Sequence, residues 1–256
     1  MYAEERQQAM ARLAAERRRL SVTSLAEEFN VTTETVRRDL SHLERLGHVR
    51  RVHGGAVPAD ALPTLESGLA EREDVNRDLK DQIAHAALTQ LPTDGATVLI
   101  DAGTTTSRLA GFLAPDRRLV VFTHAVPVAA RLVGLPLIEL HLLPGRVRAT
   151  TQAAVGPDTV AALDRIRADV AFVGTNALTL GHGFSTPDSD EAATKRSMVA
   201  AARRVVVLAD SSKIGRDAAV RFADVADVDC LVTDGGIDAG VRRSLENTGL
   251  QVVVAS

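Results

Sequence analysis

The sequence predicts two folded parts: a small winged helix-turn-helix at the N-terminus and a larger α/β domain behind it. Two observations predict the first part, both within residues 21–56: two short helical segments separated by three residues, and an Arg-rich strand pattern that follows them. One observation predicts the second part, because short β-rich runs alternate with helical segments beyond residue 75. The fold class is therefore α/β with an added N-terminal winged helix-turn-helix.

The second helix of the pair is predicted over residues 33–46. Val36, Leu40 and Leu43 recur at spacings of four and three residues, so they share one face. The opposite face carries polar side chains at the same spacings, namely Glu34, Arg38, Ser41 and Arg45. Thr32 is the expected N-cap, and Gly47 stands where the helix is expected to end.

The first helix of the pair is shorter. Ser24 and Glu27 have the spacing of a capping box, and Leu25 and Phe29 supply an inner face. Residues 30–32 connect the two helices and leave room only for a tight crossing. We therefore expect the second helix to present its first turn and its polar face outward, as a recognition helix does in the major groove of DNA.

An Arg-rich wing is predicted next. Residues 48–53 alternate like a strand, and Gly54 with Gly55 can end that strand in a turn. The alternative is an ordinary solvated helix face in which Glu34 and Arg38 form an ion pair four residues apart. The coincidence of a helix pair, a basic wing and an N-terminal position favours DNA binding over that alternative.

Composition narrows the class of protein. Hydrophobic residues make up 45% of the 256 residues, yet no apolar run reaches the length of a membrane span, so no membrane partner is expected. The first nineteen residues predict a charged amphipathic helix rather than a signal peptide. Cys230 is the only cysteine, which excludes a disulfide within the chain and indicates the cytoplasm.

The charge is distributed unevenly along the chain. Residues 1–56 contain ten Arg, no Lys and eight Asp or Glu, whereas the other 200 residues carry 20 basic and 25 acidic side chains. Attraction to phosphate is thus expected at one end only. Since Trp is absent and the chain has one Tyr and six Phe, the aromatic platforms that single-stranded nucleic acid requires are lacking, and duplex DNA is favoured.

A linker is predicted over residues 57–75, which contain Pro58 and Pro63 and show no periodicity. The predicted domains are therefore a DNA-binding domain at 1–56, this linker, and an effector domain at 76–256. The strands expected in the second domain are 97–100, 119–122, 137–142, 170–173, 205–208, 230–232 and 252–254. The helices expected between them include 79–89, 125–133 and 191–202.

In open α/β sheets, ligands bind at the carboxyl ends of the strands. The residues that follow the first five predicted strands are small and polar: Asp101 to Thr106, Thr123 and His124, Pro144 to Arg146, Gly174 to Asn176, and Asp210 to Lys213. The glycine, hydroxyls and helix-start amides of the first of these segments suit a phosphate. Each segment alone is common turn chemistry, but together they predict a binding pocket.

Lysine is rare in this chain, with only three among the thirty basic residues. Lys80 is expected on the outer face of its helix, with no function. Lys195 and Lys213 fall beside the predicted pocket, where a compact ammonium on a flexible stem can do what a planar guanidinium cannot.

The motifs TVRRDL at 35–40 and RRVHGGA at 50–56 make residues 3–56 resemble the N-terminal signature of the DeoR family of bacterial transcriptional regulators. The resemblance implies a helix face and a basic wing on DNA, formed by Thr33, Thr35, Arg37, Arg38, Arg50, Arg51 and His53. Periodicity agrees on Arg38 and adds Ser41 from the same face. It puts Arg37 on the side of the helix, where contact with phosphate is expected rather than with a base.

The resemblance continues in DAGTTT at 101–106, GTNAL at 174–178, ADSSKIG at 209–215, and the spacing of Glu191, Lys195 and Met198. These match the DeoR sensor domain, which is similar in fold to ribose-5-phosphate isomerase. The resemblance implies that the domain binds a phosphorylated sugar and then releases the operator. The implied effector site comprises Asp101, Gly103, Thr104, Thr105, Thr106, Asn176, Glu191, Lys195, Asp210 and Lys213.

One position departs from the family pattern: Thr123 and His124 stand where Thr-Asn is common, and we include both in the expected site. The resemblance is closest to regulators of sugar phosphotransferase systems of the fructose or lactose type. Fructose 1-phosphate is therefore the first expected effector, ahead of galactose or tagatose phosphates. No cofactor, no metal and no enzymatic activity are expected. A homodimer or homotetramer is expected because each winged helix reads one half-site.

Two alternatives stay open. A sugar-phosphate isomerase-like enzyme would need a carboxylate base beside a lysine, which Asp101, Glu191, Asp210 and Lys213 could supply. It would leave the N-terminal DNA reader without a purpose. A nicotinamide-binding module is disfavoured because no G-x-G-x-x-G follows any predicted strand.

Overall fold

The computed structural model describes residues 3–17, 20–52, 54–58 and 68–255. The chain divides into two compact units, residues 1–67 and 68–256, and each is described by itself. The division falls inside the segment predicted to be a linker.

The first unit contains three helices and a small sheet. Its elements are α1 (Ala3–Arg17), β1 (Leu20–Ser21), α2 (Val22–Glu28), α3 (Thr33–Arg45), β2 (Val49–Val52) and β3 (Gly55–Pro58). The three strands form an antiparallel sheet in the order β1-β3-β2. This arrangement confirms the winged helix-turn-helix.

Helix α3 follows the predicted pattern closely. Val36, Leu40 and Leu43 are all buried in the core of the unit. The Thr32 side chain accepts a hydrogen bond from the Thr35 amide at 3.2 Å, as an N-cap does. Gly47 adopts a φ of 74° just beyond the last helical residue, a left-handed conformation that favours glycine.

Helix α2 begins earlier than predicted. The Ser21 side chain caps it by accepting from the Ser24 amide at 3.4 Å, so Ser24 lies inside the helix. The predicted capping box of Ser24 and Glu27 is therefore wrong, because the residue three positions upstream already occupies the cap. Leu25 is buried and Phe29 is half-buried, as the inner face requires.

Helix α1 is attached to α3 by a buried ion pair. Arg6 Nε donates to Asp39 Oδ2 at 2.6 Å, and the Gln7 side chain donates to Asp39 Oδ1 at 2.8 Å. Met10 of α1 is fully buried in the same core. Helix α1 therefore fixes the position of α3, the helix that carries the predicted DNA-binding face.

The wing is a two-stranded hairpin of β2 and β3, in which Arg50 pairs with Val57. Gly54, with a φ of 74°, lies in the turn, but Gly55 already belongs to β3. A Cβ on Gly55 would lie 1.7 Å from the Leu20 carbonyl oxygen, so β1 can pair only with a glycine there. The start of the predicted linker, residues 57–58, is thus part of the wing.

The second unit begins with two helices and continues with alternating strands and helices. Its helices are α4 (Leu69–Asp74), α5 (Arg77–Ala87), α6 (Thr104–Gly111), α7 (Val126–Leu132), α8 (Pro157–Leu163), α9 (Ser189–Ala201) and α10 (Ala239–Glu246). Its strands are β4 (Thr97–Ile100), β5 (Leu119–Thr123), β6 (Ile138–Leu142), β7 (Arg146–Arg148), β8 (Ala153–Val155), β9 (Ala168–Gly174), β10 (Ala177–Thr179), β11 (Gly183–Thr186), β12 (Ala202–Leu208), β13 (Val220–Ala223), β14 (Cys230–Thr233) and β15 (Gln251–Val254).

The core of this unit is a parallel sheet of seven strands in the order β15-β14-β12-β9-β4-β5-β6. All seven predicted strands belong to it. Side chains of α5, α6 and α7, such as Ile83 and Leu109, pack on one face. Side chains of α8, α9 and α10, such as Met198 and Leu245, pack on the other. Cys230 of β14 is fully buried between them.

The predicted linker also contains helix α4, which no apolar pattern indicated because none of its residues is fully buried. The Leu69 amide donates to the Thr150 carbonyl at 2.9 Å. Lys80 Nζ donates to the carbonyls of Arg72 and Val75 at the end of α4. Lys80 is 4% exposed. Its predicted place on an outer surface is therefore wrong, since α4 covers it.

Candidate functional site

The polar face of α3 carries the predicted DNA contacts. Thr33, Arg37 and Arg38 are exposed, whereas Thr35 and Ser41 are half-buried. The Thr35 hydroxyl lies 2.9 Å from the Thr32 hydroxyl, and the Ser41 hydroxyl donates to the Arg37 carbonyl at 2.8 Å. These two side chains are thus engaged within the helix.

The two arginines among the predicted contacts of α3, Arg37 and Arg38, differ. Arg37 Nη1 lies 3.5 Å from Glu34 Oε2, so Glu34 pairs with Arg37, three residues on, and not with Arg38. Arg38 forms no ion pair with any residue that the structure describes. Of the predicted wing residues, His53 lies outside the described residues, and so do the side chains of Arg50 and Arg51.

The second site lies at the carboxyl edge of the parallel sheet. From β4 the chain runs outward to β5 and β6, then returns to place β9 on the other side of β4. The gap between the ends of β4 and β9 is therefore the switch point of the sheet, where open α/β sheets bind ligands. Asp101 follows β4, and Thr175 and Asn176 follow β9.

Asp101 is fully buried at this switch point. Its Oδ2 accepts from the Gly174 amide at 2.7 Å and forms an ion pair with Lys195 Nζ. Lys195 also donates to the Gly174 carbonyl at 2.9 Å, and His124 Nε2 lies 2.9 Å from Asp101 Oδ1. Burial by itself raises the pKa of Asp101, but the charge of Lys195 and the hydrogen bond to His124 lower it to about 2. A carboxylate with so low a pKa is a weak base.

His124 is 1% exposed; its Nδ1 faces an acceptor, and its Nε2 is within hydrogen-bond distance both of Asp101 and of the Ala102 amide, which donates to it at 3.2 Å. Nδ1 lies 2.7 Å from the Ala154 carbonyl oxygen, and Nε2 faces Asp101 as above. Thr123 is fully buried, and its hydroxyl donates to the Ile100 carbonyl at 2.7 Å. Thr123 is thus bonded to β4, and His124, the residue that departs from the family pattern, is bonded to β8.

Glu191 belongs to a second cluster at the start of α9. Arg148 Nη1 donates to Glu191 Oε1, and Arg148 Nη2 lies 3.2 Å from Asp188 Oδ2. The Thr186 hydroxyl lies 3.4 Å from Glu191 Oε2 and donates to Asn176 Oδ1 at 3.0 Å. Arg148 was not predicted, because it lies in the short strand β7, outside every strand-end segment.

Asp210 belongs to a third cluster, after β12. Its Oδ1 accepts from the Ser212 amide at 3.1 Å and from the Asn76 side chain at 3.2 Å. Lys213 is half-buried in the same short turn. Burial lowers the pKa of the nearby Lys80 to about 8, although the Asp210 carboxylate opposes this effect. Asn76 and Lys80 are additions to the predicted set.

The segment 103–107 opens helix α6. Thr104, Thr105 and Thr106 are buried, and the Thr106 hydroxyl donates to the Gly103 carbonyl at 3.1 Å. Gly103 is the N-cap and has no side chain with which to cap the first amides.

A pocket of about 290 Å³ lies beside this helix start, and we call it the α4 pocket. Its lining includes Leu69, Glu73, Gly103, Ser107, Arg131 and Thr151. Of the predicted effector residues, only Gly103 lines it.

The structure thus brings the predicted residues together as three clusters and one helix start along a single sheet edge. Among the described residues, no group of His, Cys, Asp and Glu has the arrangement of a metal site. No helix in the described part of the chain is both long and apolar enough to span a membrane.

Comparisons with known proteins agree with this architecture. Residues 6–61 match the DeoR-like helix-turn-helix domain, and residues 75–235 match the DeoR C terminal sensor domain. The HTH-type transcriptional regulator GlpR of Haloferax volcanii is 37% identical over 249 residues, covering 97% of this chain and 96% of that protein. The HTH-type transcriptional repressor CsqR of Escherichia coli is 30% identical over 242 residues, covering 94% and 92%.

Among solved structures, ribose 5-phosphate isomerase A from Methanocaldococcus jannaschii aligns with a TM-score of 0.40 and 18% identity, over 54% of this chain and 55% of that one. That likeness concerns the fold alone.

A winged helix-turn-helix joined to an α/β sensor domain defines a DNA-binding transcriptional regulator rather than an enzyme. The chain belongs to the DeoR family of transcriptional regulators.

Proposed function

We propose that the protein is a repressor of sugar-catabolism or phosphotransferase genes that leaves its operator when a phosphorylated sugar binds to the α/β unit. The observation that carries the proposal is that one chain contains both features: an exposed polar face on α3 in the first unit, and polar residues at the switch point of the sheet in the second unit. The names of relatives support repression, since CsqR is named a repressor.

On the DNA side, α3 would enter the major groove through Thr33, Arg37 and Arg38. Arg38 is exposed and has no ion-pair partner among the described residues, so a guanine edge or a phosphate can become its partner. The wing, with Arg50, Arg51 and His53, would add contacts to the DNA backbone. A homodimer or homotetramer in the cytoplasm is part of the proposal, because one winged helix reads one half-site.

On the effector side, the predicted residues would surround the sugar phosphate at the strand ends. The uncapped amides at the start of α6 support a phosphate there, since the amides at a helix start favour negative charge. Lys213 and Asp210 would contact the sugar. Asp101, Lys195 and His124 are buried, and Asp101 is bonded to both of the others, which supports a role in shaping the site. Fructose 1-phosphate stays the first candidate effector.

The low pKa of Asp101 makes this carboxylate a poor general base for the isomerase alternative, because a general base works best with a pKa near the working pH.

The test uses the full chain and a labelled duplex from the region upstream of its own gene. Operator affinity is measured by fluorescence anisotropy at several salt concentrations, with and without a panel of hexose and pentose phosphates. We expect tight, salt-sensitive binding that one phosphate abolishes and its unphosphorylated sugar does not. Failure to bind the duplex under every condition would contradict the proposal, and turnover of a sugar phosphate would revive the isomerase.

A further inference from the structure

The α4 pocket contains a buried hydroxyl without a partner. Thr151 is 5% exposed, and its Oγ1 makes no hydrogen bond to any described residue. An unpaired buried hydroxyl costs free energy, so a native structure that keeps one needs a reason for it. Thr151 lines the pocket, so a ligand with acceptor oxygens would supply the missing partner.

An arginine and the N-terminal end of α6 border the same pocket. Arg131 of α7 reaches across to the Ser107 hydroxyl, and both side chains line the pocket. The pocket is also lined by Gly103, the N-cap of the eight-residue helix α6, which has no side chain with which to cap the first amides. A guanidinium, a buried hydroxyl without a partner and the N-terminal end of a helix together suit an anion with several oxygens, as a phosphate monoester has.

The carboxylate of Glu73 already lies close to the positive charge of Arg131 at this pocket. Glu73 Oε1 lies 3.2 Å from Arg108 Nη2 and 3.8 Å from Arg131 Nη2. Arg108 has a second partner, since its Nη1 lies 2.5 Å from Asp81 Oδ1. Glu73 is the one carboxylate within ion-pair distance of Arg131 among the described residues. A dianion at Arg131 would therefore compete with Glu73, while Asp81 would still neutralise Arg108.

Glu73 belongs to helix α4, which has six residues, none fully buried. So short a helix is unstable alone, and its contacts decide whether it forms. Those contacts include the Leu69 amide on Thr150, Lys80 on the last carbonyls, Arg108 on the Glu73 carbonyl, and the Glu73 carboxylate on the two arginines. The chain immediately before α4 leads back to the winged-helix unit.

We propose that the phosphate of the effector binds in the α4 pocket against Arg131, Thr151 and the start of α6, and that it displaces Glu73 and so releases α4. This inference rests on the proposed function and adds its regulation. Glu73 acts as an internal competitor of the ligand, so ligand binding at the pocket loosens the helix through which the DNA-binding unit is attached.

The test compares four variants of the full chain with wild type: Arg131→Gln, Thr151→Val, Glu73→Gln and, as a matched control, Arg203→Gln, whose side chain is 81% exposed. Calorimetry gives the affinity for inorganic phosphate and fructose 1-phosphate, and anisotropy gives operator affinity. We expect phosphate binding at least about tenfold weaker in Arg131→Gln and about fivefold weaker in Thr151→Val. Glu73→Gln should bind phosphate more tightly and the operator more weakly. Arg203→Gln should match wild type.

The opposite signs for Arg131 and Glu73 separate competition from a merely structural ion pair, which both substitutions would weaken alike. Thr151→Val keeps the side-chain shape and removes an unpaired hydroxyl, so its unfolding midpoint should stay equal or rise, and it stays informative if Arg131→Gln fails to fold. Wild-type phosphate affinity in both Arg131→Gln and Thr151→Val, or weaker affinity in Glu73→Gln, would overturn this inference alone. A wild-type protein that binds none of the sugar phosphates would overturn the proposed function, and this inference with it.

Discussion

Asp101 and Lys195 form an ion pair sealed from solvent, with side chains 0% and 6% exposed. Because Asp101 also accepts from the Gly174 amide, the pair joins the ends of β4 and β9 to helix α9. The ammonium of Lys195 also lies 5.6 Å from the centre of the Phe222 ring. At the switch point of the sheet, the ends of β4 and β9 are thus held together by a buried ion pair as well as by backbone hydrogen bonds between the strands.

Breaking this pair should destabilise the protein. Asp101→Asn leaves the Lys195 ammonium buried without a counter-charge, and such a loss costs about 3–5 kcal/mol. Urea unfolding of the full chain, followed for the second unit, measures it. Asp94→Asn serves as the control, since Asp94 pairs with Arg117 at the surface and should cost less than about 1 kcal/mol. Equal losses in the two variants would show that the buried pair has no special weight.

Acid should remove the contribution of Asp101. Its pKa is lowered to about 2 in the folded protein and is near 3.9 in an unfolded chain, so the unfolded state binds the proton first as the pH falls. The stabilisation, on the order of 2 kcal/mol, is present above about pH 4 and lost as the pH falls towards 2. The difference in unfolding free energy between wild type and Asp101→Asn, measured from pH 6 to pH 2, should shrink across that window. A constant difference would contradict the lowered pKa.

Substitutions of Arg37 and Arg38 in α3 should weaken DNA binding in different ways. Arg38→Ala should weaken operator binding and relax its sequence preference, with a loss of about 1–3 kcal/mol, if Arg38 reads a base edge. Arg37→Ala should weaken specific and nonspecific duplexes alike and lower the slope of log affinity against log salt by about 1. Anisotropy titrations on operator and scrambled duplexes measure both. Unchanged operator affinity in Arg38→Ala would remove Arg38 from the reading face.

Lys213 should matter for release but not for DNA binding. Lys213→Ala should keep the operator affinity of wild type without effector and lose the response to the sugar phosphate, because it removes differential affinity between two states and not the DNA contacts. Anisotropy with increasing effector measures this. Arg216→Ala, three residues further on and exposed, is the control and should respond normally. Normal release in Lys213→Ala would refute its place in the effector site.

Sequence periodicity was sufficient for the main sheet, because its strands are apolar runs covered on both faces by helices. It was also sufficient for α3, whose buried face is regular. It was insufficient where no apolar pattern exists. Helix α4 buries no residue fully, so nothing in its composition distinguishes it from a linker. Lys80 was misplaced for the same reason, since periodicity finds the polar face of a helix but not a second helix that covers it.

The tendency of open α/β sheets to bind ligands at the carboxyl ends of their strands identified the candidate site residues, but it did not predict which side chains contact one another. That Asp101 meets Lys195 and His124 depends on β4 lying between β5 and β9, which is a property of strand order. Arg148, Arg131 and Thr151 were missed because each comes from an element other than a strand end. The identity of the ligand-contacting residues stays a prediction.

The single cysteine of the chain, Cys230, lies in a strand of the central sheet and is fully buried. Burial raises the pKa of its thiol, which further suppresses the reactive thiolate. The native protein therefore contains a thiol that reacts with an alkylating reagent only when the sheet opens. The labelling rate of Cys230 thus measures how often the sheet opens. Because Cys230 does not react in the folded protein, one cysteine introduced at the surface can be labelled selectively with a fluorophore. The binding of an effector can then be followed at a chosen position of the chain.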